Sequence, residues 1–214
     1  MAYQVNEIFW SPQGEGIRAG EMSMFIRLSG CNMRCEEEAG PKSPGGFDCD
    51  TEFVSGRKMS ADEIVEESIM LVEQGGVAPT YWSRCKPWCI FTGGEPGIQL
   101  DKALVDAMQD GGFLCAIETN GSIDVSELGL DWITVSPKVA EHAVRQMTAD
   151  EVKYVRGHGQ GIPRPRCKAE YQLISPAFNG LTLDSRAVAW CNQLIRENPD
   201  WRLSVQHHKI WGLR

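Results

Sequence analysis

Three thiols fall within the short stretch Gly30 to Phe53: Cys31, Cys35 and Cys49. The first two are four residues apart, and thirteen residues rich in Gly, Pro and charge separate the second from the third. Three thiolates on one loop suit an iron–sulfur cubane, whose protein ligands are usually four cysteines. With three, one iron stays open to a cofactor or substrate, as a catalytic zinc keeps one position open. A structural zinc site would need a fourth Cys or His nearby, and no His lies between residues 1 and 141, so the cluster is favoured. The remaining cysteines read differently. Cys115 and Cys191 sit in apolar periodic runs, where the thiol is a small buried hydrophobe. Cys167 has basic neighbours and no partner close in sequence. Cys85 and Cys89 repeat the four-residue step and could be a metal pair, but Pro87 and the apolar run after it favour a loop and a core position.

The elements that must hold the thiol loop are legible around it. Residues 22–29 alternate, with Met22, Met24, Ile26 and Leu28 on one face and Ser23, Phe25, Arg27 and Ser29 on the other, which predicts a strand. Ser60 to Glu63 is a capping box, followed at helical spacing by Ile64, Val65, Ile69 and Val72 until Gly75–Gly76. Strands are expected near 88–92, 112–119, 131–136, 151–156, 170–175 and 201–206, with helices over 99–112 and after Asp184. Strands alternating with amphipathic helices imply βαβ units and a parallel sheet. The chain is shorter than the roughly 250 residues of an eightfold barrel. The expectation is an α/β fold built as a partial, abbreviated (β/α) barrel. It forms a single domain over 1–214, with the cluster loop at 30–53 and an inserted excursion at 36–48. In such folds the ligand sits beyond the carboxyl ends of the strands. The thiol loop, "TGGEPG" (92–97), "ETNGS" (118–122) and "SPK" (136–138) all fall there.

Composition narrows the class. At 214 residues, 42% apolar and 23% charged, the chain can bury a real core, and its net charge of −8 argues against a broad nucleic-acid surface. The N-terminus has no signal-peptide pattern and no apolar run approaches membrane length, so the expectation is a cytoplasmic protein with no membrane partner. In that compartment the cysteines are read as reduced thiols.

Joined to the thiol trio, the Gly-Gly-Glu turn makes the chain resemble the radical S-adenosylmethionine enzymes. The strings "PQGEG" (12–16), "FIRLSGCN" (25–32), "CDTEF" (49–53), "TGGEP" (92–96), "ETNGS", "SPK" and "WRLSVQHHK" (201–209) narrow this further. In order along the chain, they resemble the 7-carboxy-7-deazaguanine synthase family. The resemblance implies a [4Fe-4S] cluster, S-adenosylmethionine and Mg2+. It also implies a ring contraction of 6-carboxy-5,6,7,8-tetrahydropterin to 7-carboxy-7-deazaguanine with loss of ammonia. An electron donor such as flavodoxin or ferredoxin and a homodimer are further implications. Family members carry Cys-x3-Cys-x2-Cys or a spread pair ending in Cys-x2-Cys. This chain does neither, since Gly46 stands where the spread form has its middle cysteine.

Position by position, the resemblance makes Cys31, Cys35 and Cys49 the cluster ligands and Thr51 the magnesium ligand. A neutral hydroxyl oxygen suits an ion that prefers oxygen and keeps waters. Pro12, Gln13, Gly14, Glu15, Arg27, Thr92 and Arg214 match the substrate site, with Arg27 facing the pterin carboxylate; its alternative is a salt bridge to a protein acid. Asp48, Asp50, Gly93, Gly94, Glu95, Glu118, Asn120, Ser136, Pro137, Lys138 and Ser175 match the adenosylmethionine site, although Ser175 replaces a more usual glutamine. Glu95 would accept from an ammonium group. His207 and His208 read as packing or rim residues. Two other readings are a glycyl-radical activase and a non-catalytic metal-binding relative. Neither accounts for "QGEG" and "CDT" together with an intact cofactor rim.

Overall fold

The alternation at 22–28 does form a strand, yet another precedes it in the sheet. In the computed structural model, which describes residues 1–33, 52–78, 82, 84–138, 140–179 and 182–213, β1 (Tyr3–Pro12) runs antiparallel to β2 (Met22–Leu28) and to β3 (Arg57–Met59). From β2 onward the sheet is parallel. It continues through β4 (Trp88–Gly93), β5 (Leu114–Thr119), β6 (Trp132–Val135), β7 (Thr148–Arg156) and β8 (Lys168–Pro176). A short hairpin, β9 (Phe178–Asn179) with β10 (Thr182–Leu183), stands apart, and β11 (Trp201–Leu203) completes the main sheet. The order is β11-β8-β7-β6-β5-β4-β2-β1-β3, with β11 and β3 as its outermost strands among the described residues, so the barrel is open.

Helices α1 (Ala61–Gln74) and α2 (Lys102–Asp110) cover one face of the first half, and α3 (Ser185–Glu197) covers the second. Each starts at the residue whose side chain satisfies its free N–H groups. Ser60 Oγ accepts from Glu63 N while Glu63 accepts from Ser60 N at 2.7 Å, Asp101 accepts from Leu104 N at 3.0 Å, and Asp184 accepts from Arg186 N at 2.9 Å. Ile26, Leu28, Phe91 and Ile117 on the sheet meet Ile64, Val72, Leu104 and Met108 on α1 and α2, all fully buried. Each such side chain contributes roughly 1.5–3 kcal/mol. The crossovers after β5 and β6 carry only 3₁₀ turns, Ser126–Leu128 and Glu141–Ala143, which is how the barrel is abbreviated. Among the described residues no helix is long and apolar enough to cross a membrane.

The opposite face of the sheet is laid down in rows. Phe9, Phe25, Ile90 and Ala116 form an apolar row, with the Phe9 and Phe25 rings stacked at 4.9 Å. Two residues further along each strand the register aligns Glu7, Arg27 and Thr92, then Glu118, Thr134 and Glu151. A polar row thus lies directly above an apolar floor, as period-2 alternation requires.

Candidate active site

Two turns meet at the carboxyl ends of β2 and β4. Gly94 N donates to Leu28 O at 3.3 Å and Glu95 N to Gly30 O at 2.9 Å. A Cβ on Gly94 would stand 2.2 Å from Gly30 O and 2.8 Å from Cys31 Cβ, and Gly93 has φ +130°. The paired glycines therefore let the turn lie against the thiol-bearing backbone. Cys31 Sγ accepts from Met33 N at 3.4 Å, an arrangement that suits a thiolate. Asn32 ties the same turn to the loop after β5, donating to Ser122 Oγ at 2.8 Å and accepting from Asn120 Nδ2 at 3.1 Å.

Glu95, expected to receive an ammonium group, is 1% exposed and already engaged. It accepts from Thr119 Oγ1 at 2.7 Å, Asn120 N at 2.7 Å and Gly97 N at 3.0 Å. Burial lifts its carboxyl above the usual range, and these hydrogen bonds only partly offset that. Here it braces the β4 turn against β5. Ser136 N donates to Thr119 O at 2.8 Å, and exposed Lys138 Nζ donates to Ser136 Oγ at 3.1 Å, with Pro137 between them on the same rim. Ser175 lies on β8 with its hydroxyl buried and without a partner among the described residues. It is an orphaned polar atom of the kind a bound cofactor would satisfy.

A cavity of about 130 Å³ opens above the apolar floor, lined by Phe9, Pro12, Gln13, Gly14, Glu15, Phe25, Arg27, Thr92, Glu118, Gln206 and His208. Gln13 Nε2 donates to Glu118 Oε1 at 2.9 Å, and Thr92 Oγ1 lies 3.5 Å from Glu118 Oε2. Glu118, expected among the cofactor residues, lines this cavity. Arg27 Nε is 3.9 Å from Glu7 Oε2, a long contact that leaves the guanidinium facing the cavity over the Phe9 ring. Glu15 forms an ion pair with Lys153 and accepts from Gln206 Nε2 at 2.8 Å. Burial alone would raise the Glu15 carboxyl, but the Lys153 charge and these hydrogen bonds hold it below the ordinary range. Helix α4 (His207–Trp211) caps the cavity, where His207 N donates to Gly14 O at 2.8 Å. Burial lowers the His208 imidazole below its ordinary value. Below the floor, Arg18 lies 4.1 Å from the Trp88 ring and 5.4 Å from Trp132, closing the far end of the barrel.

Cys35, Asp48, Cys49, Asp50, Thr51 and Arg214 lie outside the described residues. Among the described residues no group of three His, Cys, Asp or Glu side chains stands together for a metal. Sequence reading missed Lys153, Glu151, Gln206 and Arg18. The cavity offers carboxylate acceptors on one side, a guanidinium on the other and stacked rings beneath. That arrangement suits a flat heterocycle with N–H donors and a carboxylate.

An open parallel sheet with a cysteine turn after its first parallel strand and a Gly-Gly-Glu turn after the next defines the radical S-adenosylmethionine class of α/β enzyme. Comparison with known proteins goes further. The chain is 37% identical to the 7-carboxy-7-deazaguanine synthase of Nitratidesulfovibrio vulgaris and 36% identical to that of Burkholderia multivorans, in both cases over 100% of each chain. The enzyme of the same name from Bacteroides thetaiotaomicron is 35% identical, again over 100% of both. A crystal structure of QueE from Escherichia coli matches the fold with a TM-score of 0.63, at 24% identity over 97% of this chain and 95% of that one. No protein-family model matches. The chain belongs to the 7-carboxy-7-deazaguanine synthase family.

Proposed function

We propose that this chain is a radical S-adenosylmethionine lyase that contracts 6-carboxy-5,6,7,8-tetrahydropterin to 7-carboxy-7-deazaguanine and releases ammonia, for 7-deazapurine biosynthesis. The observation that carries this reading is the convergence of Gln13, Glu15, Arg27, Thr92 and Glu118 on one cavity above stacked Phe9 and Phe25. Arg27 pairs with the substrate carboxylate. Glu15 and Glu118 accept from the N–H groups of the pyrimidine edge, the phenyl rings support its plane, and α4 excludes water from above. Glu118 also fixes the Gln13 amide, whose own oxygen accepts from Glu15 N at 3.1 Å.

Cys31, Cys35 and Cys49 would hold the [4Fe-4S] cluster, and Gly94, Asn120, Ser136 and Ser175 would border the methionyl cofactor. The cluster, when bound, supplies the electron that cleaves the sulfonium. Thr51 would give Mg2+ one oxygen, the remaining ligands being water and substrate. A flavodoxin- or ferredoxin-type donor and a homodimer complete the proposal. Equilibrium binding of the carboxypterin to wild type and to Glu118→Gln tests the site directly. Wild type binds and the variant binds at least tenfold more weakly, about 1.4 kcal/mol. Equal affinities would remove Glu118 from the substrate site.

A further inference from the structure

Glu15 and Lys153 meet across 138 residues of sequence, with side chains 14% and 8% exposed. Lys153 comes from β7, where its neighbour Glu151 also faces the lumen, accepting from Thr134 Oγ1 at 2.9 Å and Ile17 N at 2.9 Å. Glu118 approaches from β5 and His208 from α4, 4.0 Å from Glu15 Oε1. Thus three carboxylates, Glu15, Glu118 and Glu151, share one partly desolvated space. Lys153 feels all three, and Arg18 balances Glu118 and Glu151 from below. A buried carboxylate such as Glu15 stays ionised only beside an internal cation, and Lys153 is the one in contact with it.

We infer that Lys153 is the positioning and specificity-determining residue of the cavity: it keeps Glu15 an anionic, acceptor-only carboxylate aimed at the N–H edge of the ligand. This rests on the substrate reading above. Lys153 does not line the cavity and acts through Glu15. A neutral Glu15 would present an O–H toward a donor edge, setting donor against donor. Gln206, donating to Oε1 while Lys153 takes Oε2, fixes the plane of the carboxylate.

The test uses full-length protein and Lys153→Met, Lys153→Arg and Glu15→Gln/Lys153→Met variants. Wild type should bind the carboxypterin with an affinity flat from about pH 6 to about pH 9. Lys153→Met should bind weakly at the acid end and gain about tenfold per pH unit as Glu15 deprotonates. Lys153→Arg should restore the flat profile. Loss of affinity by one constant factor at every pH, or no loss, would overturn the inference. Thermal unfolding provides a readout free of the ligand. The deficit of Lys153→Met should widen as pH rises from about 4 to about 8, because the uncompensated Glu15 anion appears, and the double variant, in which only Glu118 and Glu151 are left without the lysine, should have a clearly shallower slope. A pH-independent deficit would reduce Lys153 to packing. Wild type that binds no carboxypterin at any pH would sink the functional reading while leaving the unfolding test intact. Should Lys153→Met not fold, its failure must be relieved by the double variant, which removes both charges; otherwise the inference falls.

Discussion

Arg27 is the residue whose role is most exposed to test. Its guanidinium faces the cavity over the Phe9 ring, with a long 3.9 Å contact to Glu7, so a ligand carboxylate entering the cavity would find a partner there. Losing a desolvated charge pair costs about 2–5 kcal/mol. Arg27→Ala should therefore weaken carboxypterin binding about 30-fold or more, leaving S-adenosylmethionine binding unchanged by calorimetry. Equal loss of both would make Arg27 a support of the fold. Glu95 gives a pH prediction of defined sign. Its folded pKa is raised, so its contribution is full below the ordinary carboxylate value and lost as pH rises through the folded one. Glu95→Gln should then gain melting temperature relative to wild type on going from about pH 4 to neutral. No pH dependence in that difference would refute the buried brace. Gln13, Glu15, Arg27 and Thr92 were readable because each lies in a string with a recognisable neighbourhood. Lys153 was not. In "EVKYVR" it occupies an alternating position that looks solvent-facing, and only the fold brings it to Glu15. Glu118 was found through "ETNGS", but its place in the lumen beside Gln13 and Thr92 was not readable, because only the register of β5 separates it from Asn120 and Ser122 at the cysteine turn.

At the scale of elements, caps and close approaches separate stability from site assembly. Ser60→Ala removes the side-chain half of the capping box of α1, leaving the backbone N–H of residue 60 on Glu63, and should cost about 1 kcal/mol in chemical denaturation, without changing ligand affinity. Gly94→Ala should do the reverse. Its Cβ would collide with Gly30 O at 2.2 Å, pushing the Gly-Gly-Glu turn off the cysteine turn and lowering the iron retained after reconstitution. Full iron content in that variant would contradict the packing role. The parallel strands and helix caps were legible because period and capping residues agree. β1 was not, because it is buried on both faces at Tyr3, Val5, Ile8 and Phe9 and shifts register between Val5 and Glu7, which erases the alternation. The strand expected over 201–206 stops at Leu203, and the chain turns into α4 to cap the cavity.

For the whole molecule, the three long helices among the described residues lie against one face of an open sheet, and the other face carries a graded lumen. Arg18 and the two tryptophans close its base, stacked phenylalanines form a floor, charged residues line the wall, and the cysteine turn stands at the rim. On the proposed function, that gradient would set a flat, polar ligand between the apolar floor and the cysteine turn. The partial barrel followed from element order and chain length. Its openness and its lumen chemistry depended on pairings between residues far apart in sequence, such as Gln13 with Glu118 and Glu15 with Lys153. The central claim is that this lumen performs the ring contraction. The most direct measurement is anaerobic reconstitution with iron and sulfide, followed by turnover with S-adenosylmethionine, Mg2+, a reductant and 6-carboxy-5,6,7,8-tetrahydropterin, analysed by mass spectrometry. The account predicts 7-carboxy-7-deazaguanine and an equal amount of ammonia, with S-adenosylmethionine regenerated rather than consumed. Cleavage of S-adenosylmethionine with the pterin left intact, in protein carrying a full cluster, would contradict it.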